Sequence, residues 1–298
     1  MKWSPQTIRL VDIACKEDLG RAGDITSALL PESAAEITGR IVARQRGVVC
    51  GLELGPLVCR AFAKRLGRPI HFLPAGAGQA DFKDADHVSA GTCVAVVRGP
   101  RIVVLACERT LLNFLGRLSG VATLTRRFVE LARRANPEVA VFDTRKTLPG
   151  WRELDKYAVR CGGGTNHRHG LYDAVLLKDN HLAGIPTDRL ASFISEVLGR
   201  LTLRPDFVEV EVDNLEQMAE VCRVPDVNAV LLDNFTPEQL RAAVDYRNRL
   251  GLAGKLALEA SGGVTLENIG EIAATGVDRI SVGALTHSAA WLDLGLDF

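Results

Sequence analysis

From residue 139 onward the chain alternates short apolar runs with amphipathic stretches, and each apolar run carries a charged or small polar residue at or near its C-terminal end. The runs are VAVFD (139–143), AVLLK (174–178), FVEVEV (207–212), AVLLD (229–233), LALEA (256–260) and RISVG (279–283), three of them ending on a charged residue and the others carrying one or a serine near that end, with helical periodicity over 215–222, 237–250 and 266–274. This alternation predicts parallel strands joined by right-handed crossovers. Asp143, Lys178, Glu211, Asp233, Glu259 and Ser281 stand at or near the C-terminal ends of those strands, the rim where the catalytic groups of a β/α barrel gather. A polar residue inside a strand is expected to disturb the packed barrel interior. Six strands over residues 139–298 fall short of the eight strands and roughly 250 residues of a closed barrel, so an incomplete or open barrel is expected.

The residues before that point read differently. Ser4-Pro5, a capping residue followed by a first-turn proline, opens an amphipathic helix over 4–19, and EDLGRAGDITSALLP (17–31) reads as a structural loop. From Ile37 to about Arg98, β-like runs (ITGRIVARQRGVVCG and TCVAVVRG) alternate with a helical stretch at 53–66 and glycine-rich turns such as PAGAGQ, which predicts a small α+β domain. A long helix from Arg101 to about Arg134 links the two parts.

The 36 basic and 36 acidic residues cancel, so no long-range field recruits nucleic acid or an anionic membrane, and any basic function is local. That gives weight to residues 143–181, which concentrate Arg145, Lys146, Arg152, Lys156, Arg160, His167, Arg168, His169, Lys178 and His181 around a Gly162-Gly163-Gly164 run. Seven cysteines at irregular spacing predict free thiols in a reducing compartment. The start MKWSPQTIRL has no apolar leader core, and no segment approaches the roughly 18 apolar residues of a membrane span; a cytoplasmic protein is expected.

Within the basic cluster, Arg152, Glu153, Asp155, Lys156 and Arg160 have the spacing of a solvated helix face and are left out of the site. Lys178 is different: an ammonium closing an apolar strand requires an anionic partner or ligand. Arg145, two residues beyond its predicted strand, and Arg168, after the glycines, suit bidentate recognition of carboxylates. His167-Arg168-His169 has no zinc spacing. The glycines permit close backbone approach to a ligand, though a run of this kind is more often a flexible loop. ASGGVT (260–265) and SVGALTHS (281–288) are small-residue turns between strand and helix, suited to a phosphate. Glu211 and Asp233 suit ribose hydroxyls, a metal on pyrophosphate or a developing cation. A phosphate cradle, two carboxylates and a cationic pocket on one rim imply a phosphorylated sugar meeting an anionic partner.

DTRKT (143–147), GGGTNHRHGLYD (162–173), LLKDNH (176–181), EVEVD (209–213), LLDNF (231–235) and EASGG (259–263), together with EDLGRAGDITS (17–27) and ERTLLNFLGRLSGVAT (108–123), resemble the quinolinate phosphoribosyltransferases over nearly the whole chain. The resemblance implies a type II phosphoribosyltransferase fold, with an N-terminal α/β sandwich domain (1–115), whose first helix can pack on the barrel, and an incomplete α/β barrel (116–298). It implies a homodimer with a shared active site, a hexamer being the larger alternative. Quinolinate and phosphoribosyl pyrophosphate are the implied substrates, with Mg2+ and no organic cofactor. Carried over residue by residue, Arg109 reaches in from the partner subunit, while Arg145, His167, Arg168 and Lys178 bind the quinolinate carboxylates and Thr144 is a further substrate-binding residue. Lys146 lies near the reacting centre. Glu211 and Asp233 hold the ribose and the magnesium pyrophosphate, with no side chain ligating the metal directly. Ser261, Gly262 and Gly263, with Val282, Gly283 and Ala284, hold the 5-phosphate, and His287 lies nearby. Lys146, Lys178, Glu211 and Asp233 are the implied catalytic groups, and His169 receives no role.

Two rival readings stay open on the residues alone. Lys178 at a barrel strand end also suits a Schiff-base aldolase. A relative on the same scaffold, such as nicotinate phosphoribosyltransferase or the molybdate-transport-associated homologue, would need fewer cations. A non-catalytic binding protein explains the clustered acids and bases least well.

Overall fold

The computed structural model describes residues 2–31, 34–75 and 82–298. In chain order the elements are α1 (Pro5–Leu19), α2 (Ile25–Ala28), β1 (Glu36–Ala43), β2 (Gly47–Val48), α3 (Gly55–Leu66), β3 (His71–Pro74), β4 (His87–Val88), β5 (Cys93–Pro100) and α4 (Arg101–Ala135). The second half continues with β6 (Ala140–Phe142), α5 (Arg152–Cys161), β7 (Val175–Leu177), α6 (Asp179–Leu182), α7 (Leu190–Leu198), β8 (Val208–Val212), α8 (Leu215–Val221), β9 (Ala229–Asp233) and α9 (Pro237–Arg249). It ends with β10 (Ala257–Ser261), α10 (Ile269–Ala273), β11 (Arg279–Ser281), α11 (Ala284–His287) and β12 (Leu294–Asp297). Two compact units divide the chain, one of Met1–Arg126, Thr147–Gly163 and Leu285–Phe298, the other of Arg127–Lys146 and Gly164–Ala284.

The first unit is built on an antiparallel sheet ordered β12-β1-β5-β3, with β2 and β4 paired separately. Its edge strand β12 comes from the chain's last residues, where no strand is expected from the sequence: LGLD is too short for a pattern, and only its pairing with Arg40–Ala43 makes it a strand. Gly55 opens α3 against β3, where a Cβ would stand 2.5 Å from the Phe72 ring, so only glycine lets the helix seat there. Ser4 caps α1 by accepting from the Thr7 N–H at 3.2 Å. The 17–31 segment is not wholly a loop, because the Asp24 carboxylate accepts from Thr26 and Ser27 and nucleates α2. Of the PAGAGQ turn, 76–79 lie outside the described residues.

α5 corrects the solvated-face expectation. Asp155 and Lys156 are fully buried, and Glu153 accepts hydrogen bonds from the Ser4 and Thr7 hydroxyls of α1. Asp155 pairs with the Arg117 guanidinium of α4 at 2.9 Å, and the same guanidinium donates to the Thr286 carbonyl at 3.0 Å. Sequence spacing reports which charges share a helix face; the elements packed on that face decide whether water reaches them. Gly162 serves packing too: a Cβ there would lie 2.5 Å from Thr125 and 2.6 Å from the Ala122 carbonyl. The first glycine of the run therefore seats α5 on α4.

The second unit carries the parallel sheet expected from the alternation, ordered β6-β11-β10-β9-β8-β7. Each predicted strand and each of the three predicted crossover helices appears within a few residues of its expected ends. Asn214 caps α8, and Thr236 with Gln239 forms a capping box on α9. Parallel pairing places Glu211 opposite Leu231, Leu231 opposite Glu259 and Glu259 opposite Arg279, while Ser261 stands opposite Asp233. Period-two alternation thus brings ionisable side chains of several strands to one level of the sheet.

Candidate active site

Residues beyond the end of β6 begin the site. Asp143 is fully buried and organises the chain after the glycine run: its carboxylate accepts from the His167 N–H at 2.8 Å and the Asn166 amide at 2.6 Å. A parallel bridge between Phe142 and Thr165 holds the same segment alongside β6. Asp143 is therefore an anchor, and the loop it anchors presents His167 and Arg168 beside Arg145, Lys146 and Lys178 from the ends of β6 and β7.

Those cations line a cavity of about 290 Å³ formed by Thr144, Arg145, Lys146, His167, Arg168 and Lys178, with Leu176 as an apolar wall. Arg168 is 9% exposed, and burial, reinforced by the positive charge of Arg145, depresses its pKa. Arg145 adds a buried Nε with no hydrogen-bond partner among the described residues. Two guanidiniums that repel each other in a partly desolvated cleft are stabilised by a ligand carrying negative charge. A larger groove of about 780 Å³ runs in the first unit between α1 and α3, lined by residues such as Ile8, Val11, Leu57 and Lys64; it has apolar walls and a basic rim but no converging acids and bases of this kind.

Lys178, just past β7, finds the anionic partner its position requires in Glu211 of β8, 2.5 Å away. Asp233, at the end of β9, is held above its ordinary pKa by burial and then by the negative charge of Glu211, against the pull of Lys178. Asn234 follows in the left-handed region at φ 55°, and Gly262 approaches it so closely that a Cβ would sit 2.1 Å from the Asn234 side-chain oxygen. Gly262 and Gly263 themselves take φ of 95° and 58°, so the ASGG turn needs glycine at both positions. It does not run straight into a helix, since α10 starts at Ile269. Val282 donates its N–H to the Phe142 carbonyl at 2.9 Å, which ties the SVGA turn back to β6.

The second unit thus brings Thr144, Arg145, Lys146, His167, Arg168 and Lys178 together, with Glu211 and Asp233 beside them. Ser261 stands opposite Asp233 in the sheet, Gly262 and Gly263 follow it, and Val282, Gly283 and Ala284 close the neighbouring turn. Arg109 and His287 belong to the first unit, both exposed, with His287 Nδ1 2.7 Å from the Ser288 hydroxyl.

Glu259 and Ser281 are not rim residues. Glu259 is fully buried, accepts from the Ser281 hydroxyl, and lies 3.5 Å from the His167 ring, which stands 2.9 Å from the equally buried Glu209. Burial pushes the Glu209 carboxyl up to about 7, against the positive charge of Arg279; burial and the charge of Glu209 push Glu259 up to about 8. Polar groups inside the strands do not disrupt this interior, because they partner one another. A signal for them was present: EVEV alternation puts Glu209 on the same face as Glu211.

A parallel α/β sheet with a cation-lined pocket and two carboxylates at the C-terminal ends of neighbouring strands describes an enzyme acting on small charged molecules. The chain belongs to the quinolinate phosphoribosyltransferase family, whose N-terminal domain model matches residues 24–119 and whose C-terminal domain model matches 121–297. It is 39% identical over 287 residues to the nicotinate-nucleotide pyrophosphorylase [carboxylating] of Mycobacterium leprae, covering 95% of this chain and 94% of that one. The structure of the nicotinate-nucleotide pyrophosphorylase from Francisella tularensis superposes with a TM-score of 0.84 at 35% identity, covering 99% and 97% of the two chains. Human nicotinic acid phosphoribosyltransferase, at 14% identity and a TM-score of 0.56 over 99% and 74% of the chains, shares the fold alone.

Proposed function

We propose that this chain transfers the phosphoribosyl group of phosphoribosyl pyrophosphate to quinolinate with loss of carbon dioxide, giving nicotinate mononucleotide and pyrophosphate for NAD biosynthesis. The observation that carries the reading is the side-by-side pair Arg145 and Arg168 in a pocket that Lys178 also lines. At about 290 Å³ the cavity lies at the small end of ligand pockets, roughly 300 to 1,000 Å³, and its charge suits a dicarboxylate. Lys178, ion-paired to Glu211, is poorly placed to act as a Schiff-base amine.

In this reading the quinolinate ring nitrogen forms the bond to C1 of the ribose as the C1–O bond to pyrophosphate breaks. Arg145, Arg168, His167, Thr144 and Lys178 hold the carboxylates and aim the nitrogen. Glu211 and Asp233 lie where positive charge grows on the ribose and stabilise it, and Lys146 offsets negative charge near the reacting centre. The ring, now a pyridinium, accepts the electron pair released as the 2-carboxyl leaves, and that carbon then takes a proton. Ser261, Gly262 and Gly263, with Val282, Gly283, Ala284 and His287, hold the 5-phosphate through small side chains and turn N–H groups.

Magnesium fits beside Glu211 and Asp233. These are hard oxygen donors, and Asp233 is raised partly by the negative charge of Glu211, a repulsion that a nearby cation relieves. When bound with pyrophosphate, the ion would neutralise the leaving group, and no side chain is assigned to it directly. The active site is read as shared in a homodimer, with Arg109, exposed on α4, entering from the partner subunit. The seven free cysteines suit the reducing cytoplasm, and no helix among the described residues is long and apolar enough to cross a membrane.

The test is turnover of quinolinate against nicotinate with phosphoribosyl pyrophosphate and magnesium. Quinolinate is expected to be consumed with release of carbon dioxide and nicotinate to be inert; the reverse preference would overturn the assignment. For the shared site, inactive Arg109→Ala and Lys178→Ala chains mixed into verified heterodimers are expected to regain partial activity, and an absence of recovery would contradict it.

A further inference from the structure

Beneath the pocket, two glutamates are buried where an isolated carboxylate is costly. Glu209 from β8 and Glu259 from β10 have no exposed surface, and Glu209 Oε1 and Glu259 Oε2 have no hydrogen-bond partner among the described residues. Both face the same imidazole. His167 Nε2 lies 2.9 Å from Glu209 Oε2 and 3.5 Å from Glu259 Oε1, and Arg279 stands 3.9 Å from the other Glu259 oxygen. The ring plane is set by edge contacts to Phe142 and Phe207, at centroid distances of 6.1 and 5.3 Å.

The other ring nitrogen determines what this contact is. His167 Nδ1 accepts from the Arg168 backbone N–H at 2.8 Å, so it carries no proton. A histidine ring must hold a proton on at least one nitrogen, and Nε2 is therefore the donor to Glu209. The same assignment excludes the three side chains as a metal site, because the nitrogen aimed at the carboxylates is the protonated one and has no lone pair to offer.

We propose that Glu209 and Glu259 are positioning residues that lock His167 in its Nε2–H tautomer, and that His167, through its bond to the Arg168 N–H, holds the following arginine in place for the substrate carboxylate. The inference rests on reading the pocket as the quinolinate subsite. It gives the buried acids a task that stability alone does not require, since an apolar pair of similar size would fill the same interior without desolvated polar groups. Ser281, donating to Glu259, fixes that carboxyl, and Arg279 stands 3.9 Å from its other oxygen. His167 thus belongs to two layers, touching the pocket on one side and the acids on the other.

The test combines ring 15N chemical shifts of His167, which distinguish the two tautomers directly, with the Michaelis constants for both substrates. In the wild-type enzyme a single Nε2–H tautomer is expected. Glu209→Leu removes the acceptor and is expected to give a mixed tautomer and to raise KM for quinolinate about tenfold, with KM for phosphoribosyl pyrophosphate unchanged. Glu209→Gln keeps an acceptor oxygen and is expected to restore the tautomer and most of the affinity. A Glu209→Leu enzyme with wild-type ring shifts and wild-type KM for quinolinate would overturn the proposal. Should Glu209→Leu fail to fold, Glu259→Gln decides, with a shifted Nε2 signal and a KM for quinolinate raised about threefold expected, and unchanged values overturning it. If the wild-type chain consumes no quinolinate the functional reading fails, whereas positioning is then judged on the ring shifts of Glu209→Leu.

Discussion

Two arginine sites, one in each unit, show opposite treatments of buried charge. Arg117 in the first unit is 8% exposed and faces Asp155 at 2.9 Å, with the Thr286 carbonyl taking a further hydrogen bond. Arg168 in the second unit is 9% exposed and lies in a pocket with Arg145, a like charge that depresses its pKa further. Equal burial thus accompanies a closed ion pair in one case and an open, self-repelling pair in the other. On the proposed reading the difference separates roles: a charge answered inside the protein holds elements together, and a charge held open in the pocket is there for a ligand to answer.

The largest effect is expected where the closed pair is broken. Asp155→Ala strands the Arg117 guanidinium and is expected to destabilise the protein by about 3 to 5 kcal/mol, measured by urea unfolding; a loss below about 1 kcal/mol would place this pair among surface contacts. At the open pair the cost moves from stability to binding. Arg168→Ala and Arg145→Ala each remove a charge-assisted carboxylate contact of about 1.5 to 3 kcal/mol, so steady-state kinetics should show KM for quinolinate rising about 10- to 100-fold, with KM for phosphoribosyl pyrophosphate little changed and melting temperature held or raised. Equal losses for both substrates would remove the distinction between the two sites.

The smallest effect concerns the buried acids. Glu209 and Glu259 titrate near 4.5 when unfolded and at about 7 and about 8 when folded, so between those values the native state binds more protons than the unfolded state. Stability from these groups is therefore fully present below pH 4.5 and declines as pH rises through 7 and 8, with a slope of at most about 1.4 kcal/mol per pH unit for each proton. Glu259→Gln is expected to flatten the fall in melting temperature between pH 5 and 8, and a fall as steep as in the wild type would show that Glu259 is ionised throughout.

The parallel sheet of the second unit was legible in the sequence because short apolar runs such as AVLLD recur between amphipathic helical stretches, a spacing that favours buried parallel strands, and the structure returns that run at 229–233. The pocket residues of 144–178 were legible as a cluster of cations between two such strands. The environment of the α5 charges was not legible, because period-3.6 spacing marks Glu153 and Lys156 as sharing a face but says nothing of α4, which supplies Arg117 to Asp155. β12 was invisible for the same reason, being a strand only through its partner β1.

By itself, then, the sequence determined which segments are strands and helices in the second unit and which residues could meet an anion, since both follow from local periodicity and side-chain chemistry. Tertiary structure alone decided which charges are answered. Whether Arg117 finds Asp155, Arg168 faces Arg145, or Glu209 and Glu259 converge on His167 depends on contacts 23 to 92 residues apart in the chain, and the energy of a charge is set by what surrounds it at a few ångströms rather than by its neighbours in sequence.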